Sequence, residues 1–298
     1  MTSEGSGTRP AFLIAGASGM LGTALRRVVA ESGSTLSAPA EADFDICAAA
    51  LVTQRVTEFA DKLAPGQQGV LVNAAAYTNV ERAQDEPERA YLVNAQGVAL
   101  LANAARAAAL GFVHVSTDFV FDGRKDGAYV EDDEPHPLSV YGVTKLAGEI
   151  AAAEEFPGAL IVRTAWVFGA AGVNFPMKIL EAAHEQRALK VVTDETGSPT
   201  YTVDLARGII GLVEAGASGL FHLAGSGSCS RFELARRILE LAGEDTTIEP
   251  VTSALFPTRA ARPANSVLDC SKAAALGVTM PPWTDALARF VAELDARV

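Results

Sequence analysis

Tyr141 and Lys145 stand four residues apart in Tyr141-Gly142-Val143-Thr144-Lys145. On a helix that spacing puts both side chains on one face. A phenol of pKa about 10 is a poor acid or base near neutrality until a neighbouring ammonium stabilises its anion, and Lys145 is placed to supply one. The chemistry open to the pair is proton delivery to a carbonyl oxygen as hydride reaches its carbon. About two dozen residues upstream, the apolar run His114-Val115-Ser116-Thr117-Asp118 ends in hydroxyls and a carboxylate. A tyrosine followed one turn later by a lysine is common by chance, so the inference rests on the combination.

The second member of that combination is Gly16-Ala17-Ser18-Gly19-Met20-Leu21-Gly22, between the apolar run Phe12-Leu13-Ile14-Ala15 and an amphipathic segment. Glycine at the first position permits a tight turn, at the second lets a pyrophosphate approach the backbone amides, and at the third lets a helix lie close to the sheet. The spacing is G-x-x-G-x-x-G rather than G-x-G-x-x-G. Leu36-Ser37-Ala38-Pro39-Ala40, at the end of the second strand, has no carboxylate for a ribose 2′-hydroxyl. That favours NADPH, with NADH the alternative through the nearby Glu41.

Elements able to position these residues follow from the apolar pattern. Strands are expected at 12–15, 70–73, 112–116 and 160–163, with helices at 21–31, 87–109 (one long Ala-rich helix) and 139–154. Short apolar runs without polar alternation belong to strands covered on both faces, and the helices between them make right-handed crossovers. The fold class is α/β: a Rossmann-type doubly wound parallel sheet with a smaller mixed α/β C-terminal substrate lobe. Residues 1–10 are a flexible tail, 11–163 the dinucleotide-binding domain, to which later segments return, and 164–298 mainly the substrate lobe. In that lobe helices are expected at 175–187, 203–214, 232–242 and 284–296, and strands at 189–192 and 220–223.

The 298 residues are 49% hydrophobic and carry 24 basic and 36 acidic side chains, a net charge of −12. An acidic surface repels phosphate backbones and anionic lipid, so neither nucleic acid nor membrane is an expected partner, while a small nucleotide remains compatible through amides and helix N-termini. Three cysteines, Cys47, Cys229 and Cys270, are odd in number and lack metal-ligand spacing. With no long apolar span and no signal-like leader, they point to a reducing, cytoplasmic setting.

Taken together, the motifs resemble those of the extended short-chain dehydrogenase/reductases. The resemblance runs from Phe12 to about Glu293 and includes Val72-Asn73-Ala74-Ala75-Ala76-Tyr77-Thr78, the Ser116 to Phe121 block, Val140 to Glu149, Arg163-Thr164-Ala165-Trp166-Val167-Phe168, Gly197-Ser198-Pro199-Thr200 and Arg262-Pro263-Ala264-Asn265-Ser266. It implies that Gly16, Gly19, Met20, Leu21 and Gly22 meet the cofactor pyrophosphate, that Asp43 and Phe44 flank the adenine, and that Ala74, Ala75 and Ala76 line the cofactor groove. Tyr141 would be the proton donor, Lys145 would lower its pKa and hold the nicotinamide ribose, and Thr117 would bond the C4 oxygen. Asp118 would take a sugar hydroxyl, Trp166 would pack on the hexose, and Asn174 and Arg262 would hold the nucleotide diphosphate.

The implied activity is NAD(P)H-dependent reduction of the C4 ketone of dTDP-4-dehydro-6-deoxy-L-mannose to dTDP-L-rhamnose, by a monomer or homodimer. The alternatives are a 4-ketoreductase for another dTDP-deoxysugar of antibiotic biosynthesis, including a ring-contracting streptose type, and a non-catalytic cofactor-binding regulatory homologue. Asp118 is followed by Phe119, not a second acid as in the family's dehydratases, which argues against sugar 4,6-dehydration. Some members form a metal-linked dimer through glutamates, one of them in the first helix. Here that position is Ala24, so neither the metal nor that dimer is expected.

Overall fold

The computed structural model describes residues 9–185 and 188–296. Six parallel strands form the central sheet: β1 (Ala11–Ala15), β2 (Thr35–Ser37), β3 (Gly69–Asn73), β4 (Gly111–Thr117), β5 (Leu160–Thr164) and β6 (Gly219–His222). Their order across the sheet is β6-β5-β4-β3-β1-β2. Every residue of β1, β3 and β5 is buried, as the unbroken apolar runs require. Alternation survives in the packing: Phe12 and Ile14 enter one core, and Ala11, Leu13 and Ala15 the other.

The helices of ten or more residues are α1 (Met20–Glu31), α2 (Ala49–Ala60), α3 (Gly97–Ala107), α4 (Val140–Glu155), α5 (Phe175–His184), α6 (Thr202–Glu214), α7 (Arg231–Ala242) and α8 (Trp283–Asp295). Side chains of α1 and α6 fill the core on one face of the sheet, while those of α2, α3 and α4 help fill the other. Thus 202–222, α6 and β6, belong to the layers of the sheet. A smaller lobe is built from α5, α7 and two small sheets, one of them pairing Leu189–Val192 with Ile248–Val251 in parallel. Among the described residues no helix is long and apolar enough to cross a membrane.

Three details differ from the sequence-based expectations. The long helix over 87–109 is three pieces, Pro87–Tyr91, a π-helical turn Leu92–Gln96, and α3. The turn sets Asn94 wholly inside, where its side chain accepts from Tyr77 N at 2.8 Å and donates to Tyr77 O at 3.2 Å and Thr144 Oγ1 at 3.1 Å. Secondly, α2 is not among the expected elements. Finally, residues 1–8 of the expected tail and the end of the 175–187 helix lie outside the described residues, whereas Arg9 donates from Nη1 to Ser32 O.

Sheet register fixes where the chemistry can occur. Asn73 at the end of β3 pairs with His114, so β4 runs three residues further and ends on Thr117, opposite Thr164 of β5. The chain also switches direction across the sheet between β1 and β3, and open α/β sheets bind ligands at such a switch point, beyond the strand C-termini.

Candidate active site

Beyond those C-termini lies a cleft of about 760 Å³. Its walls take in Gly16, Gly19, Met20, Leu21, Phe44, Ala74, Ala75, Ala76, Thr117, Asp118, Tyr141, Lys145, Trp166 and Arg262. Most residues singled out from the sequence therefore share one cavity, although they come from seven separate stretches of chain.

Two of the three turn glycines are explained by the protein itself. Gly16 has φ +75°, and a Cβ there would sit 2.5 Å from Ala75 N. A Cβ on Gly22 would meet Gly16 O at 2.1 Å, so Gly22 packs the helix onto the turn and does not line the cleft. Gly19 has ordinary extended backbone, with φ −70°, and the nearest atom to its imagined Cβ is Gly16 O at 3.3 Å. Gly19 also caps α1 with no side-chain hydrogen bond, and the first turn holds no acidic residue. An uncapped helix N-terminus facing a cleft, with glycine where a side chain would shield the amides, fits the pyrophosphate of a dinucleotide.

α4 delivers the reactive pair. Its N-terminus is capped by Ser139, whose Oγ accepts from Gly142 N at 3.2 Å. Two glycines let the helix sink into place. A Cβ on Gly142 would lie 2.2 Å from Phe119 O, and one on Gly148 would lie 2.1 Å from Asn94 O. Tyr141, Lys145 and Glu149 then repeat at intervals of four residues, and all three are buried. The Phe119 ring meets the Tyr141 ring edge-on, with centroids 5.4 Å apart.

The electrostatics of the pair depart from expectation. Burial pushes the Tyr141 phenol up to about 12, with the nearby Thr117 acting the other way. Lys145 donates from Nζ to Val115 O at 2.7 Å, and burial pushes its ammonium down to about 8 despite the attraction of Glu149. Burial governs the phenol of the ligand-free site, and Lys145 is not among the groups that act on it there. Glu149 itself accepts from Ser116 Oγ and pairs bidentately with Arg163 at 2.9 and 2.7 Å.

Thr117 Oγ1 donates to Asp118 Oδ1 at 2.8 Å and accepts from Phe119 N at 3.2 Å. Asp118 is 3% exposed, and burial pushes its carboxyl up to about 6. Its Oδ2 is buried with no hydrogen-bond partner, as is Thr164 Oγ1 in the same cleft. Unpaired buried acceptors are costly, and here they face a cavity that a polar ligand could fill.

Three of the expected site residues stand differently from those in the cleft. Asp43 is exposed, does not line the cleft, and offers its backbone oxygen to Arg55 Nε at 2.8 Å. Asn174 caps α5, accepting from Met177 N at 3.2 Å and donating to Gly169 O at 2.7 Å, so its amide is taken up by the fold and it lies off the main cleft. Trp166 does reach the cleft, with its ring packed by two neighbours. Gly197 packs against the ring, its imagined Cβ 2.3 Å from Trp166 Cε2, and the Arg231 guanidinium lies over it, 3.5 Å from a ring centroid. Arg262 lines the cleft and pairs with Glu81 at 3.3 Å.

The sequence did not point to Arg231, Glu149 or Arg163. Glu149 carried a usable signal, since it continues the four-residue interval from Tyr141 and Lys145. Arg231 carried none, because Trp166, Glu195 and Arg262 gather around it from distant stretches.

A parallel sheet with a glycine turn at its switch point, and hydroxyl, phenol and ammonium groups at its C-terminal edge, defines an oxidoreductase of the short-chain dehydrogenase/reductase type. More particularly, the RmlD substrate binding domain family matches residues 11–296, and the chain belongs to that family. It is 40% identical to the dTDP-4-dehydrorhamnose reductase of Mycolicibacterium smegmatis over 286 residues, 94% of this chain and 85% of that one. Against the Mycobacterium tuberculosis protein of the same name it is 39% identical over 297 residues, 96% of this chain and 94% of the relative. The crystal structure of dTDP-4-dehydrorhamnose reductase from Bacillus anthracis in complex with NADP superposes with a TM-score of 0.90 at 33% identity, covering 96% of this chain and 99% of that one.

Proposed function

We propose that the protein uses NADPH to reduce the C4 ketone of dTDP-4-dehydro-6-deoxy-L-mannose, forming dTDP-L-rhamnose. The observation that carries this reading is the cluster at the strand edge: a protonated phenol, a threonine hydroxyl bonded to a buried carboxylate, and that carboxylate's unpaired oxygen, all opening on one cleft. Relatives at about 40% identity bear the name of this activity, and NADP is the ligand of a similar structure.

The residues fit a dinucleotide. Gly16, Gly19, Met20 and Leu21 would hold its pyrophosphate through the first-turn amides of α1, and Ala74, Ala75 and Ala76 would leave a smooth groove beside it. When bound, the reduced nicotinamide supplies a hydride to the ketone carbon. Residues 11–163, with α6 and β6, would serve the cofactor, and the lobe the sugar nucleotide.

The chain's own groups handle the proton and the charge. At about 12 the Tyr141 phenol is protonated at any working pH, as a donor to a carbonyl oxygen must be. Thr117 would hold the same oxygen, and Asp118 Oδ2 would accept a sugar hydroxyl. Lys145 uses one of its three donors on Val115 O, leaving the rest for ribose hydroxyls and for stabilising the tyrosinate once the proton has moved.

The test is NADPH oxidation with the 4-keto sugar, with the product identified by NMR. Wild-type protein should give the rhamnose nucleotide, and Tyr141→Phe should lose at least about a hundredfold in rate, the usual worth of a general acid. Turnover by Tyr141→Phe at the wild-type rate would overturn the mechanism, and another deoxysugar product would overturn the substrate.

A further inference from the structure

Arg231 stands where two cavities meet. One is the cleft with Tyr141 and the glycine turn, and the other, of about 770 Å³, lies within the lobe and is lined by Lys178, Phe256 and Pro257 among others. Phe175, Arg231 and Arg262 line both.

The guanidinium is rigidly mounted. Its plane rests on Trp166, itself packed against Gly197, and its Nε stands 3.6 Å from Glu195, leaving the side chain 16% exposed. Burial, together with the nearby charge of Arg262, pushes it down to about 10. Glu195 stands 3.6 Å from Arg231 and Glu81 3.3 Å from Arg262, Asp118 also attracts Arg231, and the two guanidiniums still repel each other where the cavities meet. A planar guanidinium matches phosphate oxygens bidentately, so a small polyanion lying between the two arginines would relieve the repulsion.

The junction of the two cavities selects which polyanion. A sugar reaching Tyr141 in one cavity and a nucleoside in the other must be joined at the position of Arg231. Taking the substrate to be the sugar nucleotide proposed above, we infer that Arg231, fixed on Trp166, grips its diphosphate jointly with Arg262. Trp166 then acts as the platform for the contacting cation. The other diphosphate in reach, that of the dinucleotide, would be served by the N-terminus of α1.

Calorimetric titration of dTDP and, separately, of NADPH distinguishes these possibilities. Arg231→Met should weaken dTDP binding by about tenfold or more, the worth of a charge-assisted hydrogen bond, and raise the KM for the sugar nucleotide similarly while leaving kcat and NADPH binding near wild type. Arg231→Lys should recover only part, since an ammonium lacks the fork. Glu195→Gln, which keeps the arginine and removes its counter-charge, should tighten dTDP binding, and gives a reading even if Arg231→Met fails to fold. Unchanged dTDP affinity in Arg231→Met, a loss falling on NADPH instead, or weaker dTDP binding in Glu195→Gln overturns the role of Arg231. Wild-type protein that bound no dTDP would instead sink the sugar-nucleotide reading itself.

Discussion

The α-carbon of Gly148 lies so close to the carbonyl oxygen of Asn94 that a Cβ would fall 2.1 Å from it. That contact sets the depth of α4 against the π-helical turn, and the depth decides where Tyr141 and Lys145 sit. Gly148→Ala must push the helix away or break the Asn94 bonds to Tyr77 and Thr144. We expect a loss of roughly 1–3 kcal/mol, as for overpacking elsewhere, and a kcat that falls more than NADPH affinity does. Thermal melting and steady-state kinetics would show it. Wild-type values for both would mean that α4 is not seated by this contact.

Glu149 faces Arg163, whose Nη1 is buried without a partner. Removing the carboxylate leaves an uncompensated buried guanidinium, which costs roughly 3–5 kcal/mol in comparable cases. Glu149→Gln should therefore melt well below wild type. Chemical denaturation measures the difference, and a loss under 1 kcal/mol would show that the pair contributes little.

The same carboxylate bears on the pH profile. Lys145 sits near 8, depressed by burial and partly restored by Glu149. If its positive charge is needed, kcat/KM should decline as pH rises through about 8, where the ammonium is lost. Because Tyr141 is pushed up to about 12, its own ionisation contributes nothing below pH 10. In Glu149→Gln the restoring attraction is gone and the alkaline limb should move to lower pH. A limb that stays put in the variant would exclude Lys145 as its source.

The sheet and the reactive pair were legible because both follow from local spacing. Strands covered on both faces appear as apolar runs, and a helix presents residues four apart on one side. Val52, Val56 and Phe59 of α2 show the same kind of stripe, buried at intervals of four and three, although that helix was not among the expected elements. Asn174 directly before Phe175-Pro176 is a cap signal, since asparagine suits an N-cap and proline the first turn, and the resemblance to a phosphate site obscured it. The packing of Trp166 was not legible at all. Its neighbours Gly197 and Arg231 are brought together by the three-stranded sheet of the lobe, and the φ of +45° that aims the ring has no sequence marker in a non-glycine residue.

Asp118 allows a test that separates stability from activity. Its folded carboxyl is raised from 3.8 to about 6 by burial, so folding favours the protonated form, and the native state binds more protons than the unfolded chain between those values. Stability then falls as pH rises through this window, and above it the buried charge costs about 3 kcal/mol, from two pKa units at about 1.4 kcal/mol each. Asp118→Asn keeps an oxygen for Thr117 and removes the charge. It should be more stable than wild type at pH 7.5 and lose that advantage below about pH 4, where the wild-type carboxyl is protonated in both states. Since Oδ2 is the unpaired acceptor proposed for a sugar hydroxyl, replacing it with an amide donor should raise the KM for the sugar nucleotide at the pH where the variant melts higher. Equal melting of the two proteins at pH 7.5 would show that the Asp118 charge is solvated after all.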